Sequence, residues 1–530
     1  MIEIEDLSVR YGATPVLDGV SAHVHEGEMC LVVGPTGSGK STLLGAMTAQ
    51  VPHLTGGTLA GRVVVGGRDT RDHLPRDLAD LVGVVAQDPH LSFVTDTVEE
   101  ELAFTMEQLG VPPAMMRRRV EDVLDLLGIA ELRDRGLHTL SGGEAQRVAI
   151  GAVLTAQPRV LVLDEPTSAL DPGAAEDVLA ALSRLVLDSG LTVVLAEHRL
   201  ERVVQFADHV IALEPGTSGA RAISGDLAQV FARATIAPPV AQLGRLAGWH
   251  PLPLTVREAR RAAAPFRRTL TEQSLEPTST GTPTATPLLR AHKLAVRYGA
   301  HEALRGVSLE VRAGEILAVM GRNGAGKSSL LWALADAKEP ASGRVEAGRV
   351  PGGRARIALV PQSPEDLLFR LTVAAECAAA DHLAGRAGAT RAVLDVIAPG
   401  IDAAANPRDL SEGQRLALAV SLQLAAAPHV LLLDEPTRGL DYPAKERLAG
   451  LLRELAAGKR AVVVASHDVE FLALLADRVA QLAGGELLAD GPAAAILTDS
   501  AFTAPQVARV FAPAPILTVA QAAQLLGGSR

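Results

Sequence analysis

Apolar residues alternate with polar ones from the first residues of the chain: Ile2, Ile4, Leu7 and Val9 fall between charged or polar neighbours. That period of two predicts half-buried strands. A wholly apolar run, MCLVV from Met29, then leads straight into a glycine-rich loop, and STLLGAMTA after it has helical spacing. The same succession returns at ILAVM from Ile316, followed by a second glycine-rich loop and SSLLWALAD. Val160 to Leu163 and Val430 to Leu433 read as further buried parallel strands, each ending at carboxylates.

The chain is a duplication. LSVRYGATPVLDGVSAHVHEGE from Leu7 matches LAVRYGAHEALRGVSLEVRAGE from Leu294, an offset of 287 residues between Leu7 and Leu294. In the same order, GPTGSGKST matches GRNGAGKSS, Gln87 matches Gln362, LVLDEPTSALD matches LLLDEPTRGLD, and His198 matches His467. PPVAQLGRLAGWHPLPLTVREA from Pro238 also resembles PQVARVFAPAPILTVAQAA from Pro505, so each half carries an appendage. The organisation read from this is a first domain at 1–235 with an appendage at 236–264, a Thr/Pro-rich linker at 265–287, a second domain at 288–500, and its appendage at 501–530.

Composition narrows the function. The 530 residues are 48% hydrophobic and 21% charged, an ordinary globular balance. With 50 Lys and Arg against 61 Asp and Glu the net charge is −11, and aromatic residues are 3%, so nucleic acid is not expected as a partner. Cys30 and Cys377 stand far apart without metal-ligand spacing and read as small core hydrophobes of a reducing compartment. The acidic, alternating start does not read as a signal peptide, so no secretion is expected, and the apolar runs are broken short of a membrane span. A membrane role would need a partner.

Both glycine loops fit G-x-x-x-x-G-K-[ST]: Gly34, Pro35, Thr36, Gly37, Ser38, Gly39, Lys40, Ser41 and Thr42, then Gly321, Arg322, Asn323, Gly324, Ala325, Gly326, Lys327, Ser328 and Ser329. Glycines let backbone N–H groups converge on phosphate oxygens, the helix N-terminus adds its dipole, and lysine neutralises charge. Lys40 and Lys327 are thus expected at the β and γ phosphates of ATP, with the Ser41 and Ser328 hydroxyls on Mg²⁺. Asp164 and Asp434, at strand tips, are expected to hold Mg²⁺. The adjacent Glu165 and Glu435 are expected to orient or deprotonate the attacking water.

LSGGEAQR from Leu140 and LSEGQRLA from Leu410 resemble the signature peptide of ABC ATPases, each serine lying 23 residues before its carboxylate (Ser141 to Asp164, Ser411 to Asp434). The resemblance spans both halves. It implies an α/β fold of two tandem P-loop ABC ATPase domains, each with a mostly parallel sheet core, an antiparallel β subdomain and a helical signature subdomain. It also implies head-to-tail pairing of the two halves within one chain. One site would combine Lys40, Ser41, Gln87, Glu165 and His198 with Ser411 and Gly413; the other would combine Lys327, Ser328, Gln362, Glu435 and His467 with Ser141, Gly142 and Gly143. Gln87 and Gln362 match further Mg²⁺ and catalytic positions, His198 and His467 a γ-phosphate contact, and Tyr11 and Tyr298 the adenine-stacking position. Glu412 departs from the pattern, as do Leu416 and Ala417 where the first half has Gln146 and Arg147. With Glu165 and Glu435 both present two competent sites are expected, and because a carboxylate near a γ-phosphate is unfavourable unless it points away, they are open to inequality.

QDPHLSFVTDTVEEELAF after Gln87 resembles the ATPase subunits of energy-coupling factor importers of vitamins and transition-metal ions, and QSPEDLLFRLTVAAECA is similar but weaker. That resemblance implies peripheral attachment at the cytoplasmic face of the cell membrane, with integral membrane coupling and substrate-binding subunits as partners. Within the acidic run, Thr97 is expected to cap a helix with Glu100 completing a capping box; Glu99 and Glu101 are read either as simple dipole partners or as attractors of a basic partner helix. A ribosome-binding ABC protein of translation and a double-ATPase sugar or nucleoside importer subunit are the competing readings.

Overall fold

The computed structural model describes residues 1–168, 170–267, 287–351, 353–500 and 504–527. Most of the expected linker at 265–287, and 501–503 and 528–530 of the second appendage, lie outside the described residues. Two compact units divide the chain, Met1–Thr255 and Val256–Arg530. The division falls before the expected joint because the helix Val256–Ala262 packs within the second unit: the Arg260 guanidinium donates to the Arg509 carbonyl at 3.1 Å, in the helix Gln506–Phe511. The last part of the segment read as the first appendage thus belongs with the second.

In the first unit the strands are β1 (Ile2–Tyr11), β2 (Thr14–Val24), β3 (Met29–Val33), β4 (Thr58–Val65), β5 (Arg68–Asp69), β6 (Val82–Val85), β7 (Val160–Asp164), β8 (Thr192–Ala196), β9 (His209–Glu214) and β10 (Arg221–Gly225). Among the described residues they form a six-stranded sheet, β10-β9-β3-β8-β7-β6, parallel except for the edge strand β10, and an antiparallel sheet, β2-β1-β4-β5. The second unit repeats this with β11 (Pro287–Tyr298), β12 (His301–Arg312), β13 (Ile316–Met320), β14 (Ser342–Ala347), β15 (Arg349–Val350), β16 (Gly353–Arg354), β17 (Ile357–Val360), β18 (Val430–Asp434), β19 (Ala461–Ala465), β20 (Arg478–Ala483) and β21 (Glu486–Pro492). Its main sheet runs β17-β18-β19-β13-β20-β21, with β21 antiparallel, and β12-β11-β14 forms the antiparallel layer.

The buried positions of β1 shift from even to odd numbers, Ile2 and Ile4 and then Leu7 and Val9, because the register breaks between them and Asp6 takes φ 49°. Lys293, its counterpart in β11, has φ 47°. A bulge of this kind re-phases a strand so that both ends bury the same face. Opposite it, Gly61 is obligatory, since a Cβ there would lie 2.2 Å from the Asp6 carbonyl oxygen. The central strands β3 and β13 are buried at every position, as their apolar runs predicted. Cys30 and Cys377 are buried without a disulfide.

Candidate functional site

Each glycine loop leaves the C-terminal end of a central strand and enters a helix, Lys40–Met47 or Lys327–Leu334, whose first turn has no side-chain cap. Gly39 (φ 91°) and Gly326 (φ 100°) make the left-handed turn into it. At Gly326 a Cβ would also meet the Ala303 carbonyl oxygen at 2.5 Å. First-turn N–H groups without an internal partner, aimed past a glycine loop, form an anion cradle. The lysines are held ready in it: Lys40 Nζ donates to the Gly34 carbonyl at 2.9 Å and that of Pro35 at 3.2 Å, and Lys327 Nζ to those of Gly321 at 2.8 Å and Arg322 at 3.3 Å.

The carboxylates converge on these loops. Asp164 and Asp434 end β7 and β18; burial pushes both carboxyls up, Asp434 to about 6, while the neighbouring serine hydroxyl and lysine of each loop pull them back. Among the described residues neither oxygen of Asp434 has a well-formed hydrogen bond, and the Ser328 hydroxyl approaches them. Two buried oxygens short of donors, beside a hydroxyl, fit a hard divalent cation such as Mg²⁺. Because the proton binds Asp434 more tightly in the folded than in the unfolded chain, this residue lowers stability as pH rises from about 4 to about 6, with the full penalty above. Asp434→Asn is expected to remove that dependence and to stabilise the nucleotide-free chain by on the order of 2–3 kcal/mol at neutral pH. Thermal melts across pH check it; an unchanged profile refutes it.

Glu165 and Glu435 follow in left-handed backbone, φ 50° and 47°, a strained conformation for a glutamate, held in place as each N–H donates to a carbonyl of the next strand, Ala196 at 3.0 Å and Ala465 at 2.8 Å. His198 Nε2 lies 3.0 Å from Glu165 Oε1. In the second unit Glu435 Oε1 lies 3.3 Å from Lys327 Nζ, and its Oε2 lies 2.9 Å from His467 Nδ1 and accepts from the Ser466 hydroxyl at 3.1 Å. Lysine, serine, aspartate, glutamate and histidine of one half therefore meet within each unit. Gln87 and Gln362 leave β6 and β17, the strands paired with β7 and β18, and so exit beside the carboxylates.

The signature serines act locally as helix caps. Ser141 Oγ accepts from the Glu144 N–H and Glu144 Oε2 from the Ser141 N–H, at 3.3 and 2.7 Å, opening the helix Gly142–Leu154; Ser411 and Gln414 do the same for Glu412–Ala425. Gly413 lies so close to the following loop that a Cβ would meet the Gly439 carbonyl oxygen at 2.6 Å. Glu412, the departure in the second signature, is neutralised: Arg438 Nε lies 2.7 Å from its Oε1. The compensating arginine stands where the first half has Ser168. Tyr11 is half-buried at the end of β1, whereas Tyr298 is 48% exposed with the Lys338 ammonium 4.7 Å above its ring. A base stacking on that face requires Lys338 to move aside.

Three features were not read from the sequence. Glu197, before His198, is a buried acid whose Oε1 accepts from the Thr167 N–H at 2.8 Å and hydroxyl at 2.6 Å; burial and the nearby Glu165 push its carboxyl up, and Ser466 takes its place in the second half. Glu101 is buried, not presented to a partner: its Oε2 accepts from the N–H groups of Val94 and Thr95, both at 3.0 Å. Glu376 likewise takes the N–H groups of Phe369 and Arg370. The expected capping box holds, with Glu100 Oε2 accepting from the Thr97 N–H at 3.2 Å. Gln146, finally, is fully buried, and among the described residues neither of its amide atoms is hydrogen-bonded. The second half has Leu416 there, so Gln146→Leu is expected to stabilise the chain by about 1–3 kcal/mol. A lower melting temperature for this variant contradicts the assignment.

Two P-loop α/β units with paired strand-tip carboxylates define a tandem nucleotide-hydrolase architecture. Residues 17–168 and 304–438 match the ABC transporter family. A protein of Streptomyces coelicolor, provisionally named an ABC transporter ATP-binding protein, is 56% identical over 99% of this chain and 100% of its own. One of Methanosarcina mazei, similarly named, is 33% identical over 92% of this chain and 88% of its own. The chain belongs to the ABC transporter ATP-binding family, whose membership implies ATP hydrolysis. Among solved structures, an RNase-L inhibitor has TM-score 0.63 at 21% identity over 93% of this chain and 92% of that one, a likeness of fold alone. The cbiO1 subunit of Clostridium perfringens, part of a cbiONQ transporter complex, is 27% identical over 51% of this chain and 98% of its own, with TM-score 0.41.

Proposed function

We propose that the chain is the ATP-hydrolysing, energy-coupling subunit of an ABC importer of the energy-coupling factor type, for a vitamin or transition-metal ion, driving a separate integral membrane complex from the cytoplasmic face. In this reading the loops of residues 34–42 and 321–329 hold the phosphates of two ATP molecules, Tyr11 and Tyr298 the adenines, and Ser141, Gly142, Gly143, Ser411 and Gly413 close the opposite site. Ser41, Gln87 and Asp164, and Ser328, Gln362 and Asp434, would hold Mg²⁺, which when bound withdraws charge from the phosphates. Glu165 and Glu435 orient the attacking water and take its proton, while His198 and His467 contact the γ-phosphate. ATP closes the halves, and hydrolysis with phosphate release reopens them.

The observation that carries the transport part is apolar surface at a repeated position. Val94 is 64% exposed and its counterpart Phe369 80%, each on the segment between the glutamine and the next helix. Each is fixed from below by a buried glutamate, Glu101 or Glu376, through its backbone N–H. Rigidly presented apolar side chains at matched sites support a partner that covers them. Among the described residues no helix is long and apolar enough to cross a membrane, so the reading needs that partner. Mild-detergent purification of the tagged chain tests it: recovery of an integral membrane protein is expected, and loss of that protein in Val94→Asp/Phe369→Asp. Cosedimentation with ribosomes, without a membrane partner, would favour the translation reading instead.

A further inference from the structure

Both units have a cavity at the N-terminal ends of their parallel strands, the end opposite the glycine loops. In the first unit it holds about 460 Å³ and is lined by both signs of charge: Arg119, Arg159, Glu26 and Asp122, with Arg159 paired to Glu26 at 2.9 Å. In the second unit it holds about 450 Å³, and its charged lining is entirely basic: Arg349, Lys459 and Arg460, with His429 beside them. Among the described residues no acid lines this second cavity.

The duplication supplies an internal control. Ala313 stands at the position of Glu26, which removes the acid. Arg460 stands at the position of Leu191, which is buried in the first unit. Lys459 stands at the position of Gly190 and keeps its left-handed backbone, φ 62° against 68°. A lysine there carries a conformational cost that glycine does not. Burial and Arg386 hold the Arg460 guanidinium below its usual range. The carbonyl end of the helix Tyr442–Ala457 offsets part of this crowding of cations. The fold does not demand it, because the matching helix Pro172–Ser189 ends at Gly190 and Leu191. His429 adds a directed donor: its Nδ1 accepts from the Arg356 N–H at 3.1 Å, which leaves the proton of the neutral ring on Nε2.

From this exchange of residues we infer that the second unit carries a binding site for a small, soluble, phosphate-bearing polyanion, lined by Arg349, His429, Lys459 and Arg460 and separate from both nucleotide sites. Guanidinium and ammonium groups of this density, in a chain of net charge −11, are matched by an anion with several phosphate oxygens. The ligand would act at the base of β18 and β19, the two strands that carry Asp434 and lead to His467 at their other ends.

Isothermal titration of inorganic tripolyphosphate into the full chain, kept saturated with ADP so that the glycine loops are filled, tests the site. Binding is expected, and at least about tenfold weaker affinity, the equivalent of 1.4 kcal/mol, in Lys459→Gly/Arg460→Leu. That variant restores residues the first unit tolerates at the same positions. Ala313→Glu, which restores the acid, is expected to weaken binding in the same direction while ATP turnover stays unchanged. Absence of binding, or binding indifferent to these substitutions, overturns the proposal. Vesicles of phosphatidylglycerol form the second arm: residue-dependent vesicle binding without tripolyphosphate binding refutes a soluble ligand and transfers the site to a lipid headgroup.

Discussion

Glu435→Gln is expected to lower ATP turnover at its site by about 10²–10⁴-fold with nucleotide binding retained. The carboxylate is positioned by His467, Ser466 and Lys327, and by a backbone conformation that is strained for a glutamate. An amide keeps the size and part of the hydrogen bonding but cannot take the proton of the attacking water. Single-turnover hydrolysis with a separate measure of ATP affinity checks the result; turnover within about threefold of the parent would remove Glu435 from the chemistry. The comparison with Glu165→Gln carries the question of asymmetry. Glu165 has His198 at 3.0 Å, but a buried acid, Glu197, where the second half supplies the Ser466 hydroxyl. Unequal residual turnover in the two variants is therefore expected, and equal residues of activity would dispose of it. Glu412 no longer supports that asymmetry, since Arg438 holds its charge.

The second large effect is on stability. Lys445, in the helix Tyr442–Ala457, is buried and pairs with the buried Asp468 at 2.7 Å, while Asp468 also caps the helix Val469–Leu475 through the Phe471 N–H at 3.1 Å. Lys445→Ala takes away the ammonium that lies 2.7 Å from a buried carboxylate. The expected loss is about 3–5 kcal/mol, a fall in melting temperature on the order of 10 °C for a unit of this size. Adding Asp468→Asn removes that carboxylate charge but keeps a capping side chain, so the double variant is expected to recover much of the loss. A double variant no better than Lys445→Ala alone would show that packing, not charge, is what Lys445 provides. The first half carries Ala175 and Arg199 at these positions, so both members of the pair were exchanged together between the copies.

These results separate two kinds of legibility. The duplication, the glycine loops, the strand-tip carboxylates and the buried central strands were readable because each depends on local rules: spacing of apolar positions, glycine conformational freedom, and phosphate chemistry confined to a few consecutive residues. The phase change in β1 was visible as a shift from Ile4 to Leu7, yet its cause, a bulge at Asp6 facing Gly61, lies in the pairing with another strand. Where the compact units divide has the same kind of cause. Thr and Pro content marks a linker, but the packing of residues 256–262 beside Gln506–Phe511 depends on two segments far apart in sequence.

By itself, the order of residues determined the family, the two glycine loops and the carboxylates that face them, since each of these is written in contiguous motifs. Only the tertiary structure decided which charges are answered and which are not. It paired Glu412 with Arg438 and Lys445 with Asp468, turned Glu101 inward, and left Lys459 and Arg460 around a cavity without an acid. Charge compensation acts through space over a few ångströms and takes its partners from any part of the chain, so a linear reading counts the charges without knowing their neighbours.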